Sequence, residues 1–206
     1  MIIDERIDEI LKTVPRGITL LNIGCAQNPE IHYALSAGNK SVGIDINKSG
    51  IAKMQKKGHD VRLGNAENYK LNQKFDYILA TEVIEHLSNP GNFLDCSIKH
   101  LAKGGRMIIT TPNISSILLY TLVVMFDKTQ DITHVNYYDK KNLQVLLSRY
   151  GLKFATHKYI PPKVKLIGNN FFFNIMFFIS TIVANLGFLV SPRLFGSYMF
   201  CVIEKD

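Results

Sequence analysis

Leu20-Leu21-Asn22-Ile23-Gly24-Cys25-Ala26-Gln27-Asn28, followed by Val42-Gly43-Ile44-Asp45-Ile46, is the pair of segments that decides the fold. The first reads as a buried strand broken by a tight loop, and the second as a strand that ends in a carboxylate. Together they form the front half of a nucleotide-binding α/β unit. Gly24 removes the side chain where the backbone must approach a ligand, and an acid at the tip of the next strand can accept both hydroxyls of a ribose. The strict G-x-G-x-x-G pattern is absent, because Ala26 and Asn28 stand where further glycines would be expected. A pyrophosphate cradled on a helix N-terminus is therefore not the expected ligand, and a nucleoside without phosphates fits better.

Four further segments follow in order. They are Leu63-Gly64-Asn65-Ala66-Glu67, the stretch from Phe75 through Thr81-Glu82-Val83-Ile84-Glu85-His86-Leu87, the stretch Leu101 to Asn113 with Gly104-Gly105 and Thr110-Thr111-Pro112, and His134-Val135-Asn136-Tyr137-Tyr138. With these in place, and through about residue 150, the chain resembles the class I S-adenosylmethionine-dependent methyltransferases of small-molecule type, in particular quinone-pathway O-methyltransferases. The resemblance implies a Rossmann-like, doubly wound α/β fold: a mostly parallel seven-stranded sheet with an antiparallel last strand, helices on both faces and an apolar C-terminal insertion. It also implies S-adenosyl-L-methionine as cofactor. Carried over position by position, Gly24, Cys25 and Ala26 lie against the methionine portion and ribose, and Asp45 with Ile46 borders the ribose hydroxyls. Asn65 and Ala66 border the adenine, and Thr81 and Glu82 lie near the methionine end. Asn22 and Asn65 replace acids common in the family. An amide oxygen still accepts a hydrogen bond at both places, though a charge-assisted one is stronger.

Methyl transfer is an in-line attack on a methyl group activated by a positive sulfur, so alignment can supply most of the catalysis. Where the acceptor is a hydroxyl, a proton must also leave. Glu82, Glu85 and His86 stand at i, i+3 and i+4 and share one face if a helix starts after the fourth strand. The resemblance offers two readings of this string. In one, Glu82, Glu85 and His86, with His134 as a fourth ligand, hold a divalent metal that the chemistry does not strictly require. In the other, Glu85 favours the positive end of a helix and His86 acts as a general base. His32, His59, His100 and His157 read as surface or helix-end residues.

A chain of 206 residues, 47% hydrophobic and 20% charged, can bury a full core. Cys25, Cys96 and Cys201 form neither a C-x-x-C pair nor an even-numbered framework, which points to a reducing compartment without structural zinc. The start Met-Ile-Ile-Asp-Glu-Arg shows no secretory signal, so a cytoplasmic location is expected. The net charge of +7 is uneven: from Lys140 to Ile203 there is no Asp or Glu, while eight Lys and Arg fall there. The same stretch holds the apolar run from Phe171 to Val190. Basic residues beside apolar surface are the composition of an element lying peripherally on a membrane face. A buried or homodimer-forming helix has the same composition, and a single crossing would strand the last strand on the wrong side of the bilayer. The lysines at 48, 53, 56 and 57 with Arg62 read as a solvated helix face, and no nucleic-acid partner is expected.

An amphipathic helix is expected from Ile3 to Leu11, with Ile3, Ile7, Ile10 and Leu11 on one stripe. Strands are expected at 18–23, 41–46, 60–63, 75–80, 106–111, 152–160 and 196–203, and helices at 30–37, 48–57, 91–101 and 139–150. No repeat or low-complexity linker divides the chain, so residues 1–206 read as one domain. It carries a lid-like segment at 112–136 and an apolar helical insertion at 166–192, two greasy inserts that imply a small-molecule or lipid-like acceptor. A non-catalytic scaffold or binding protein that kept the fold is the alternative.

Overall fold

Seven strands form one sheet in the order β3-β2-β1-β4-β5-β7-β6. They are β1 (Thr19–Ile23), β2 (Lys40–Asp45), β3 (Val61–Leu63), β4 (Phe75–Thr81), β5 (Leu101–Pro112), β6 (Leu152–Ile160) and β7 (Tyr198–Lys205). The computed structural model describes residues 5–117, 133–161 and 182–206. Ile3, most of the lid-like segment and the 166–181 part of the apolar insertion lie outside the described residues. The pairs β1–β2, β1–β4, β2–β3 and β4–β5 are parallel, and β7 runs antiparallel to both β5 and β6. The expected doubly wound sheet with an antiparallel last strand is therefore the observed one.

Burial on both faces explains why β1, β4 and β5 read as continuous apolar runs. Consecutive residues serve opposite sides. Leu21, Ile78 and Ile109 enter one core cluster, and their neighbours Leu20, Leu79 and Ile108 enter the other. The second cluster also receives Ile10 and Val14, at and just beyond the end of helix α1 (Glu5–Thr13). Leu11, expected on that helix's apolar stripe, is exposed.

The helices end where cap chemistry ends them. Helix α3 (Lys48–Lys56) begins after Asn47, whose side chain accepts the Gly50 N–H. Helix α4 (Pro90–His100) is capped by Asn89 and has Pro90 in its first turn. Helix α5 (Lys140–Ser148) carries a reciprocal box in which Asp139 and Asn142 each accept the other's backbone N–H at 2.8 Å. β5 differs from expectation. Pairing begins at Leu101 opposite Phe75, five residues before the expected start, and the register then shifts so that Tyr77 faces Arg106, the extra residues around Gly104-Gly105 lying on β5.

His32 is also displaced from expectation. It lies in helix α2 (Pro29–Ser36) with its side chain fully buried and neither ring nitrogen hydrogen-bonded among the described residues. Its ring meets His59 edge-on at 5.5 Å. Burial, with the neighbouring His59 charge second, lowers its pKa from 6.5 to about 4. The native state thus refuses a proton that the unfolded chain accepts, and stability falls as pH drops from about 6.5 towards 4. Thermal unfolding followed from pH 7 to pH 5 should show a falling midpoint that His32→Phe flattens, the difference growing by about 1–2 kcal/mol. Parallel curves for the two proteins would contradict this.

Candidate functional site

The strand order reverses between β1 and β4, and a crevice opens at the carboxyl ends of the central strands. A cavity of about 500 Å³ fills it, lined among others by Gly24, Asp45, Ile46, Asn65, Ala66 and Glu82. Six of the ten cofactor positions read from the sequence thus face one space. The other four do not line it. Asn22 and Thr81 are buried strand residues, Cys25 packs beneath α3 with Ile51, Met54 and Val61, and Ala26 contributes its backbone elsewhere. Gln27, Val83, Leu87, Ser88 and Thr133 line the cavity without having been singled out.

The β1 loop is held from three sides. Gly24 N–H donates to Ile44 O at 2.8 Å, which ties the loop to β2. Gly24 has φ +74°, and a Cβ there would stand 2.6 Å from Val83 Cγ2, so both conformation and space require glycine. Ala26 stands where a glycine was expected, and the matching space is found across the interface. A Cβ on Gly50 of α3 would lie 2.6 Å from the Ala26 methyl. The contact leaves no room for a Cβ on the helix side.

Asp45 closes the third side. Its Oδ2 accepts the Ala26 N–H and its Oδ1 the Asn47 N–H, both at 2.8 Å. A carboxylate offers about four lone-pair positions, so roughly two stay available on the cavity side. On the opposite wall Asn65 Oδ1 accepts the Glu67 N–H, and Glu67 Oε1 accepts the Asn89 N–H at the start of α4.

Beyond β4 the helix on which a shared face of Glu82, Glu85 and His86 depended does not form. Glu82 takes a left-handed backbone (φ 53°), and only a three-residue 3-10 turn, Ile84–His86, follows. Such a conformation costs a non-glycine residue about 1–3 kcal/mol. Contacts at both ends of Glu82 offset it: the N–H donates to Thr110 O, Oε1 accepts from Thr110 Oγ1 at 2.9 Å, and Oε2 pairs with Arg6 at 3.2 Å. Arg6 also lies 4.2 Å above the Tyr198 ring. Glu85 is 1% exposed and accepts from Thr111 Oγ1 at 3.1 Å. Burial first, and the negative charge of Glu82 second, push its pKa up to about 8. Thr81 Oγ1 is buried with no hydrogen-bond partner among the described residues.

Residues 133–138 fold over this turn. Val135 and Asn136 N–H groups both donate to Glu85 O at 3.0 Å, and Asn136 Nδ2 donates to Leu87 O at 2.6 Å. His86 Nδ1 lies 2.9 Å from Thr133 Oγ1, and the His86 and His134 rings meet edge-on at 4.6 Å. One ligand atom each from Glu85, His86 and His134 falls within 4.8 Å of the others. A carboxylate and two imidazoles form a donor set that suits a divalent transition metal. Glu82, expected as a fourth member, is outside this group, its oxygens committed to Thr110 and Arg6. Arg6, Thr110 and Thr111 escaped the sequence reading; the threonine pair at the end of an apolar strand was the available signal, and Arg6 had none.

The family model for the methyltransferase domain matches residues 2–157. Similar proteins include the ubiquinone biosynthesis O-methyltransferase of Nitrobacter winogradskyi, 35% identical over 103 residues, 47% of this chain and 40% of that protein. The Pelagibacter ubique protein of the same name is 36% identical over 48% of this chain and 43% of its own. The human mitochondrial one is 29% identical over 59% and 38%. The chain thus spans less than half the length of these relatives. Among solved structures, an S-adenosylmethionine-dependent methyltransferase from Archaeoglobus fulgidus superposes with a TM-score of 0.68 at 21% identity, covering 98% of this chain and 92% of that one. Magnesium protoporphyrin IX methyltransferase from Synechocystis, with S-adenosylhomocysteine bound, gives 0.64 at 12% identity over 98% and 83%. At these identities the likeness is one of fold.

Gly24→Ala should lower the unfolding free energy by about 2–4 kcal/mol, from left-handed strain plus the Val83 clash. Chemical denaturation checks it; a loss below about 0.5 kcal/mol, the level of an ordinary surface change, would mean that the loop is not tight.

Proposed function

This chain belongs to the methyltransferase-domain family, and from that premise we propose that it transfers the methyl group of S-adenosylmethionine to an oxygen of a small amphipathic acceptor. The observation that carries the reading is Asp45. Two backbone N–H groups orient its carboxylate at the tip of β2, and the remaining lone pairs border the cavity beside the Gly24 bend. That arrangement suits a pair of vicinal hydroxyls. The names of the relatives, ubiquinone biosynthesis O-methyltransferases, support oxygen as the accepting atom and a quinone, lipid or lipid-linked sugar as the acceptor class.

When bound, S-adenosylmethionine supplies a methyl group already activated by its positive sulfur. The chain's own residues hold and align. Asp45 fixes the ribose, Asn65 and Ala66 border the base, and the loop at Gly24 brings backbone against the middle of the ligand. The acceptor approaches past Glu82, His86 and Thr133. His86 takes the acceptor's proton through Nε2, because Thr133 Oγ1 occupies Nδ1. The new bond is oxygen to methyl carbon, the broken one is sulfur to methyl carbon, and the proton ends on the imidazole. Glu85, buried, positions the turn that carries His86, its carbonyl accepting the Val135 and Asn136 N–H groups. In the alternative arrangement a divalent ion held by Glu85, His86 and His134 would lower the pKa of a coordinated acceptor hydroxyl, and His86 would then be a ligand instead of the base.

Calorimetric titration should give micromolar affinity for S-adenosylmethionine. Asp45→Ala removes two charge-assisted hydrogen bonds and should weaken binding at least about a hundredfold. A stable fold with no detectable binding would instead favour a non-catalytic scaffold. Titration with manganese(II) tests the ion site separately: binding lost in His134→Ala supports it, and equal heats in both proteins remove it.

A further inference from the structure

We propose that His100 is a proton-operated clip on the wall of the cavity: neutral, it ties residues 64–71 to helix α4, and protonated at Nε2 it releases them and weakens cofactor binding. The inference goes beyond the methyl-transfer reading, and only its effect on affinity rests on that reading. His100 is the last residue of α4 and is 8% exposed, with its ring 4.6 Å from that of Tyr69. Both ring nitrogens are taken by backbone groups. Leu71 N–H donates to Nε2 at 3.0 Å, and Nδ1 lies 2.7 Å from Cys96 O. A backbone N–H can only donate, so Nε2 is bare; a carbonyl oxygen can only accept, so Nδ1 carries the hydrogen. The two partners thus select one tautomer, and both bonds depend on it.

A proton on Nε2 would point at the Leu71 hydrogen, so that bond does not survive it. The charged ring would then be buried with one partner gone, and reaching water requires Tyr69 and Leu71 to move off it. Tyr69 is itself held on α4: its hydroxyl lies 3.4 Å from Ser97 Oγ, and its carbonyl accepts from Cys96 Sγ at 3.0 Å. It shares a core cluster with Ala66, and a Cβ on Gly64 would stand 3.8 Å from the Tyr69 Cβ. Gly64, Asn65, Ala66 and Glu67 line the cavity. A displaced Tyr69 therefore disturbs the wall that borders the base.

The neighbouring groups leave the titration to this ring. Tyr69 and Cys96 are the titratable side chains packed beside it, and burial raises the pKa of both, away from neutrality. The other charged groups on the packed elements are Lys70 and Lys74 after the clipped segment, Asp95 and Lys99 on α4, Lys103 on β5 and Lys205 on β7, all exposed. Lys74 and Lys205 reach the carbonyls of Lys99 and Ile98. His100 is the one histidine on α4, β5, β7 and residues 64–74, and imidazole is the side chain whose charge ordinarily changes between about pH 5 and 8.

Calorimetric titration of the full chain with S-adenosylmethionine at neutral pH and about two pH units lower, with His100→Gln alongside, tests the proposal. Gln keeps an acceptor oxygen for the Leu71 N–H and takes no proton. On acidification the parent should therefore lose about three- to tenfold more affinity than the variant, the worth of one hydrogen bond. His100→Phe keeps a ring and accepts nothing, so it should bind weakly at both pH values. Two readouts need no cofactor. Nitrogen-15 correlation spectra should show Nε2 of His100 without a hydrogen at neutral pH, and the Leu71 amide, corrected for intrinsic exchange, should lose protection on acidification in the parent and not in His100→Gln. An Nε2–H tautomer at neutral pH, a Leu71 amide equally protected in both proteins at the lower pH, or a parallel loss of affinity in the two overturns the proposal. Should His100→Gln fail to fold, the parent alone decides: the His100 ring and the Leu71 amide must titrate with one midpoint, and separate midpoints overturn it. A parent that shows the tautomer and the release but binds no S-adenosylmethionine at either pH keeps the clip and removes the methyl-transfer reading.

Discussion

The carboxylate of Asp45 is where the strand order, the loop geometry and the ligand chemistry meet. It stands at the end of β2 because that strand is buried and continuous up to its last residue, and it is kept 8% exposed by the loops on either side. An ionised group at that depth must be hydrogen-bonded, and the N–H groups of Ala26 and Asn47 meet that need. Those two bonds also fix the loop after β1 relative to the start of α3. Removing the charge would leave two backbone donors without their acceptor and release both loops at once. The groups that orient the carboxylate for a ligand are thus the ones that let it be buried.

The second wall depends on a different balance. Glu82 and Glu85 are close enough that their charges oppose each other, and both are largely removed from water. Glu82 is paired with Arg6, and Glu85 is driven towards its neutral form by burial. Arg6 arrives from α1, whose seat on the sheet is secured by Ile10 in the core. The packing of an N-terminal helix therefore reaches the electrostatics of the cavity through one guanidinium, while Thr110 donates to Glu82 Oε1 and Thr111 to Glu85 Oε2.

Strands β1, β2, β4, β6 and β7, and helices α2 to α5, were legible because burial on two faces imposes long apolar runs and because Asn, Asp and Pro mark helix starts. The first five residues of β5 were not, since Ala102-Lys103-Gly104-Gly105 carries turn chemistry and a register shift of this kind is invisible in sequence. The spacing of Glu82, Glu85 and His86 invited a helical face, and the spacing was true while the helix was not. The left-handed turn at Glu82 depends on Thr110 and Arg6, which lie 28 and 76 positions away along the chain. Gly24, Asp45 and Asn65 were legible because each answers a local need of strand end or loop. His32 was misjudged because an imidazole buried without hydrogen bonds runs against the usual rule for polar groups.

Ala26 and Gly50 carry the argument one step further. Loss of a glycine from a ligand loop normally implies loss of close approach, and read alone the Ala26 position argues for an eroded site. The structure puts the missing space on the opposing helix, where Gly50 admits the methyl group that Ala26 adds. In this chain a Cβ at Gly50 would stand 2.6 Å from the Ala26 methyl, so only one of the two facing positions carries one.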